Sequence, residues 1–248
     1  MSMRSLRWIA GVTAMLMSVS GLVAGGEEFA KANQAYSDGR FEEAVAGYET
    51  LVREGAWNAN LFYNLGNAWY RLGNFGKAIL NYERSLALEP HHPEAEANVR
   101  LARDEARALE LRGSDIERYV SAVTARQLTI AATITFWLAL FLGVHWYFAA
   151  RRSRVSLGFI ALSLCITAAA ILGIVTLENG KRGDSLAVIT GKETEARLAT
   201  ADNAQSILVL PPGSQVKMLS QRGEWVYAEL PNAQRGWIPA TVVERVRM

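Results

Sequence analysis

The sequence predicts a multidomain membrane protein: an all-α helical-repeat solenoid, then a transmembrane helical hairpin, then a small all-β barrel. Three observations lead there. Gly39, Phe41, Ala44 and Tyr48 recur 34 residues later as Gly73, Phe75, Ala78 and Tyr82, and Phe29, Asn33 and Tyr36 recur as Tyr63, Asn67 and Tyr70. A period of that length marks stacked helix-turn-helix units, each of which must bury its apolar face against a neighbour. Residues 128–150 and 155–177 are two 23-residue runs without Asp, Glu, Lys or Arg. After Asp184, short β-branched runs alternate with turn residues, the pattern of a small all-β domain.

The chain opens with Arg4 and Arg7, an apolar centre from Trp8 to Val23, and the small residues Ala24-Gly25-Gly26. A basic head, a short apolar core and a small-residue exit describe a secretory signal peptide over residues 1–26, cut after Gly26 or Ala24; a retained signal anchor is the alternative. Residues 27–112 hold the repeats, one over 27–57 and one over 59–92. Each reads as helix A, a turn at Gly39 or Gly73, and helix B. Pro90 ends the second repeat, because proline cannot continue a helix interior. Residues from Pro93 to Arg112 read as one further helix, the polar cap that a solenoid needs at its end. The second repeat is the better specimen, with Leu65-Gly66-Asn67-Ala68-Trp69-Tyr70, Gly73-Asn74-Phe75, Ala78, Tyr82 and Pro90. It resembles the tetratricopeptide repeat, which implies a protein-binding groove lined by the A helices.

Residues 113–127 read as a linker with Ile116, Tyr119, Val120 and Val123 on one helical face, either an interfacial helix or an extension of the first span. At about 1.5 Å rise per residue each apolar run extends about 34 Å, enough to cross a hydrocarbon core of about 30 Å. Residues 151–154, Arg-Arg-Ser-Arg, form the turn between the spans. Positive charge concentrates on the cytoplasmic side, and Trp146, Tyr147 and Phe148 suit an interfacial aromatic belt. The turn is therefore expected in the cytoplasm. Both flanking soluble parts are expected on the far side, the periplasm in a cell with two membranes, with the chain anchored in the inner (cytoplasmic) membrane. Cys165 lies inside the second run and reads as a buried apolar thiol. Of Ala168, Ala169, Ala170 and Gly173, the small residues there, packing within the hairpin or against a partner helix are both open.

In residues 184–246 the expected strands are 186–190, 194–198, 215–220, 225–230 and 236–238, with turns at Pro211-Pro212-Gly213, at Gln221 to Glu224 and at Pro231-Asn232. Leu210, Gly213 and Val216, then Gly223-Glu224-Trp225-Val226, then Arg235-Gly236-Trp237-Ile238-Pro239, resemble the bacterial SH3-type domain. The order of parts resembles the E-type protein of Bat (Bacteroides aerotolerance) operons. That resemblance implies a cell-envelope protein acting beside a MoxR-type AAA ATPase and membrane-anchored von Willebrand A-domain proteins, in a complex linked to stress or oxygen tolerance.

Net charge is +2 and the basic residues gather nowhere, so nucleic acid is not an expected partner. A catalytic site needs convergent acid, base, nucleophile or metal groups. His91 and His92 would need Glu94 or Glu96 to complete a metal site and read instead as solvated turn residues. His145 reads as an interfacial residue. No cofactor and no enzyme activity are expected. Binding is expected at Asn33, Tyr36, Asn64, Asn67, Tyr70 and Arg71 in the repeat groove, since amides match a peptide backbone and Arg holds carboxylates; the alternative is that these Asn residues bond between helices. Phe29 and Asn98 stand where a carboxylate clamp would carry positive charge, which disfavours that specialisation. In the SH3-type domain the candidate groove is Trp225, Tyr227, Trp237 and Pro239, with strand pairing and core packing as the alternative. The expected function is thus a non-catalytic inner-membrane scaffold that binds protein partners; the alternative is a cell-wall anchor that grips peptidoglycan through the SH3-type domain.

Overall fold

The computed structural model describes residues 26–113, 123–149, 153–179 and 183–248. The expected signal peptide, most of the 113–127 linker and Arg151 and Arg152 of the turn lie outside the described residues. Two compact units result. One joins the chain up to Glu110 with Ala187–Met248; the other is Leu111–Leu186.

The first unit begins with five helices: α1 over 26–37, α2 Phe41–Arg53, α3 Ala59–Arg71, α4 Phe75–Leu88 and α5 Pro93–Ala106. The turns obey local chemistry. Gly39 and Gly73 adopt φ of +80° and +73° at the two A-to-B corners, a left-handed conformation that glycine takes without a Cβ penalty. Asn58 and Asn74 accept backbone N–H bonds from Leu61 and Lys77 and so cap α3 and α4. The corner aromatics repeat almost identically, Tyr36 on Phe41 and Tyr70 on Phe75 both at 5.4 Å edge-on. Close helix approach is built from small residues. A Cβ on Gly66 would fall 2.7 Å from the Tyr82 ring.

Helix α5 is shorter than expected. It ends at Ala106, where Arg107 turns left-handed at φ 51°, and the chain continues without regular structure to Gly113. Its buried Ala95, Val99 and Ala102 stand 34 residues after Leu61, Leu65 and Ala68. The cap is therefore the A helix of a third repeat, in register, with no B helix following it.

The strands are β1 Leu186–Ile189, β2 Thr194–Arg197, β3 Ser206–Leu210, β4 Gln215–Arg222, β5 Trp225–Glu229, β6 Arg235–Pro239 and β7 Val243–Arg245. They form one open sheet in the order β3-β2-β6-β5-β4-β1-β7. The expected barrel is corrected: the sheet is antiparallel and does not close. Closure would pair β3 with β7, but β7 is three residues long and its Arg245 carbonyl already accepts from Arg84 Nη2 of α4 at 3.1 Å. Strands β3 and β7 were also not expected, although Ile207-Leu208-Val209-Leu210 and Val242-Val243 are apolar β-branched runs. Ile189, Ala196, Leu210, Val216, Val226, Ala228, Leu230 and Ile238 make the sheet's core.

That sheet packs on α4 and on the segment after α5. Gln215 N–H donates to Leu109 O at 2.8 Å, and Leu109 N–H to Ser214 Oγ at 3.1 Å. The side chain of Gln215 donates to Glu83 Oε1 at 2.7 Å, and the same oxygen holds Arg103 of α5. Contact is tight: a Cβ on Gly76 would lie 2.9 Å from Ile189 O, and one on Gly213 would lie 2.1 Å from Ile79 Cδ1.

The second unit contains α6 Ala125–Phe148 and α7 Arg154–Asn179, both long and apolar enough to cross a membrane. Helix α6 starts three residues before the apolar run because Thr124 and Gln127 form a capping box. The two helices pack on each other through Ala139, Ser163, Thr167 and Ala170, all buried. The Thr135 and Thr167 hydroxyls meet at 2.7 Å across the contact. Ala170 and Gly173 face inward while Ala168 and Ala169 do not, which divides the small-residue run between the two roles left open for it. The expectation for Cys165 is corrected: it is exposed on the protein surface, because it sits off the stripe set by Ser163, Thr167 and Ala170.

Candidate docking surfaces

On the A-helix side of the repeats a ladder of asparagines runs from helix to helix. Asn33 Oδ1 of α1 accepts from Tyr48 OH of α2 at 2.7 Å and from Asn64 Nδ2 of α3 at 2.9 Å. One repeat later Asn67 Oδ1 of α3 accepts from Tyr82 OH of α4 at 2.8 Å and from Asn98 Nδ2 of α5 at 2.8 Å. The arrangement is the same in both copies. Burial pushes the Tyr48 hydroxyl up to about 12 and raises the Tyr82 hydroxyl as well, so both stay protonated donors at neutral pH. The carbonyl of each rung is thereby used twice. What Asn33 and Asn67 retain for a ligand is the amide N–H pair.

The six groove residues expected from the sequence fall into three groups. Asn33, Asn64 and Asn67 share the ladder, in line with the alternative of bonding between helices. Tyr36 and Tyr70 are half-buried at the corners against Phe41 and Phe75. Arg71 is exposed, with its guanidinium 4.6 Å above the Phe41 ring of the preceding repeat, a cation–π contact that leaves its N–H edge facing outward for an acceptor. Asn98, Tyr63, Tyr48 and Tyr82 belong to the same constellation and were not among the expected site residues. Asn98 had a signal, since it repeats Asn64 after 34 residues. Beside the ladder an open recess of about 540 Å³ is lined by Phe29, Asn60, Tyr63, Asn64, Glu89 and Glu94, with two carboxylates in its wall.

His91 and His92 differ. His91 is exposed, whereas His92 is buried, which corrects its reading as a solvated residue. Its Nδ1 accepts from Ala95 N–H at 3.3 Å and so caps α5, and its ring lies 5.0 Å from that of Tyr63. Among the described residues no three His, Cys, Asp or Glu side chains are grouped to hold a metal ion.

On the sheet, β5 and β6 put the four expected aromatic-groove residues on one face. Trp225 stands opposite Pro239 and Tyr227 opposite Trp237, with the latter rings 4.9 Å apart. All four are half-buried, while the alternating Val226, Ala228 and Ile238 point into the core. Arg222 lies 5.8 Å over the Trp237 ring.

The tetratricopeptide repeat family model matches residues 59–92, which hold α3 and α4. The chain is similar to that family over this stretch, a protein-interaction repeat with no chemistry of its own. No curated protein matches the chain.

Proposed function

We propose that the protein is a non-catalytic scaffold of the inner membrane that gathers protein partners on the A-helix face of its repeats, on the periplasmic side. The observation that carries this reading is the twice-repeated rung of Asn, Asn and Tyr beside exposed Arg71, within a stretch similar to an interaction repeat. Amide N–H groups pre-set by their own carbonyl bonds suit the carbonyls of an extended chain, at little ordering cost. Glu89 and Glu94 in the adjoining recess favour a segment with Lys or Arg at that position. Packing of residues 187–248 on α4 supports one side of the membrane for both soluble parts, because a bilayer cannot run through a shared core.

The partners we assign are the membrane-anchored von Willebrand A-domain proteins of a Bat-type operon, in a stress or aerotolerance complex with a MoxR-type ATPase. The reading is tested by affinity purification of the full chain in mild detergent, with and without Asn64→Asp plus Arg71→Glu. Loss of the retained membrane proteins is expected; undiminished retention overturns the assignment of this face.

A second reading rests on Trp225, Tyr227, Trp237 and Pro239, whose half-buried rings and flanking Arg222 suit the peptide stems of peptidoglycan. Sedimentation of the full chain with purified peptidoglycan separates the two: retention lost in Trp237→Ala favours wall anchoring, and no retention excludes it.

A further inference from the structure

A third surface lies away from both faces. Trp57, Phe62, Arg84, Ala87, Leu88 and the C-terminal Val246–Met248 surround an open cleft of about 350 Å³. Around it Trp57, Leu88 and Met248 are 49%, 53% and 54% exposed, large apolar side chains brought together from a repeat corner, the end of α4 and the end of the chain described. Grouped exposure of this kind marks a contact surface rather than ordinary surface scatter. Basic groups border it: Arg84 is tied to Arg245 O and Glu244, and Arg247 lines the cleft.

Chain connectivity says what is within reach. The Asp184 N–H donates to Glu178 O at 3.2 Å, so at Asp184 the chain is still at the last turn of the apolar helix α7. Ala187 follows three residues later, at most about 11 Å away along the chain. Ala187 is registered opposite Arg245, and Val246–Met248 come next. The cleft is thus held by a very short tether to the point where α7 stops being apolar. A Trp–Leu–Met cluster with bordering arginines has the composition of an interfacial anchor, in which aromatic rings sit at headgroup level and basic side chains meet phosphates.

We propose that this edge, centred on Trp57 and Leu88, rests on the lipid headgroup layer of the membrane that α6 and α7 cross. The proposal depends on the membrane-spanning reading of those helices. Its consequence is orientational: seating one edge on the bilayer fixes which way the repeat face is presented to partners in the same membrane.

The test uses nitroxide labels on the full chain in phosphatidylethanolamine–phosphatidylglycerol nanodiscs, comparing accessibility to oxygen with accessibility to a water-soluble nickel chelate. Native Cys165 is labelled in the unsubstituted chain; Leu88→Cys and Leu101→Cys are labelled in a Cys165→Ser background. Leu101, on α5, is 49% exposed and lies outside the cleft, so it is the matched control. A several-fold higher oxygen-to-nickel ratio at position 88 than at position 101 is expected. An aqueous signal at 88 with a lipid signal at Cys165 overturns the lipid contact alone. A lipid signal at 101 equal to that at 88 overturns the choice of edge. An aqueous signal at Cys165 overturns the spanning reading and the contact with it.

Discussion

Helices α2 and α4 hold the same place in successive repeats and carry Phe, Ala and Tyr at matching positions, yet they live in different surroundings. Helix α2 buries Ala44, Val45, Tyr48 and Leu51, the single apolar stripe of a surface helix. Helix α4 buries nine of its 14 residues, among them Asn81, Glu83 and Ser85. Thirty-four residues earlier those positions are Gly47, Glu49 and Leu51. The period therefore governs one face of the helix, the face against the neighbouring repeat. The other face of α4 answers to the sheet, and its polar residues are interface residues: Glu83 is shared by Arg103 and Gln215, and Asn81 Nδ2 donates to Lys77 O at 2.8 Å.

The sharpest way to break the comparison is to remove the same residue type from both helices. Glu83→Ala strips Arg103 and Gln215 of their shared acceptor. Breaking a buried pair from one side costs about 3–5 kcal/mol, and the low end is expected because Arg103 keeps Glu110 at 3.3 Å. Glu49→Ala, the matching change in α2, should stay within about 0.5 kcal/mol, as a surface substitution does. Hydrogen exchange of the α4 and α2 amides in the full chain reads both, and equal effects would refute the difference drawn here.

Gly213 sharpens the same point on the sheet side. It sits at φ +82° with Ile79 of α4 directly over the missing Cβ, whereas Gly223, at φ +55°, has open space there. Gly223→Ala should cost only the left-handed penalty of about 1–2 kcal/mol. Gly213→Val adds overpacking of about 1–3 kcal/mol and should loosen α4 as well as the sheet, which the same exchange measurement resolves.

Where the two repeats are alike, their response should be alike. The hydroxyls of Tyr48 and Tyr82 both titrate above the ordinary tyrosine value of about 10. A folded value raised in this way contributes stability in full below about pH 10 and loses it as pH rises through the folded value, near 12 for Tyr48. Alkaline titration followed by tyrosinate absorbance and helical circular dichroism should show unfolding of the repeats in that window. Tyr48→Phe and Tyr82→Phe should each cost about 1 kcal/mol at neutral pH, the net value of one hydrogen bond. The smallest effect, of opposite sign, is expected at Ser85, whose buried Oγ has no hydrogen-bond partner among the described residues. Ser85→Ala should be neutral or stabilise by up to about 1 kcal/mol, measured by the urea midpoint.

The repeats were legible because Gly39, Gly73 and the Phe, Ala and Tyr positions repeat with constant spacing, and the two apolar helices because nothing charged interrupts them. Strands β3 and β7 escaped notice because one ends at a Pro-Pro-Gly turn and the other is three residues long. The open sheet was not legible at all, since the Arg84 bond to Arg245 O joins residues 161 positions apart. In the groove the identity of the Asn and Tyr residues could be read, but their mutual use could not. A doubly accepting Asn67 depends on Tyr82 and Asn98 arriving from two other helices.

Central to the account is that residues 26–110 and 187–248 form one body on one side of a membrane. Leu101→Cys on α5 and Leu219→Cys on β4, each in a Cys165→Ser chain, place single thiols on the repeats and on the sheet at exposed sites. With a membrane-impermeant maleimide on sealed right-side-out membranes, both should be labelled before lysis and at similar rates. Labelling of one thiol in sealed membranes, with the other reached only after lysis, would contradict it.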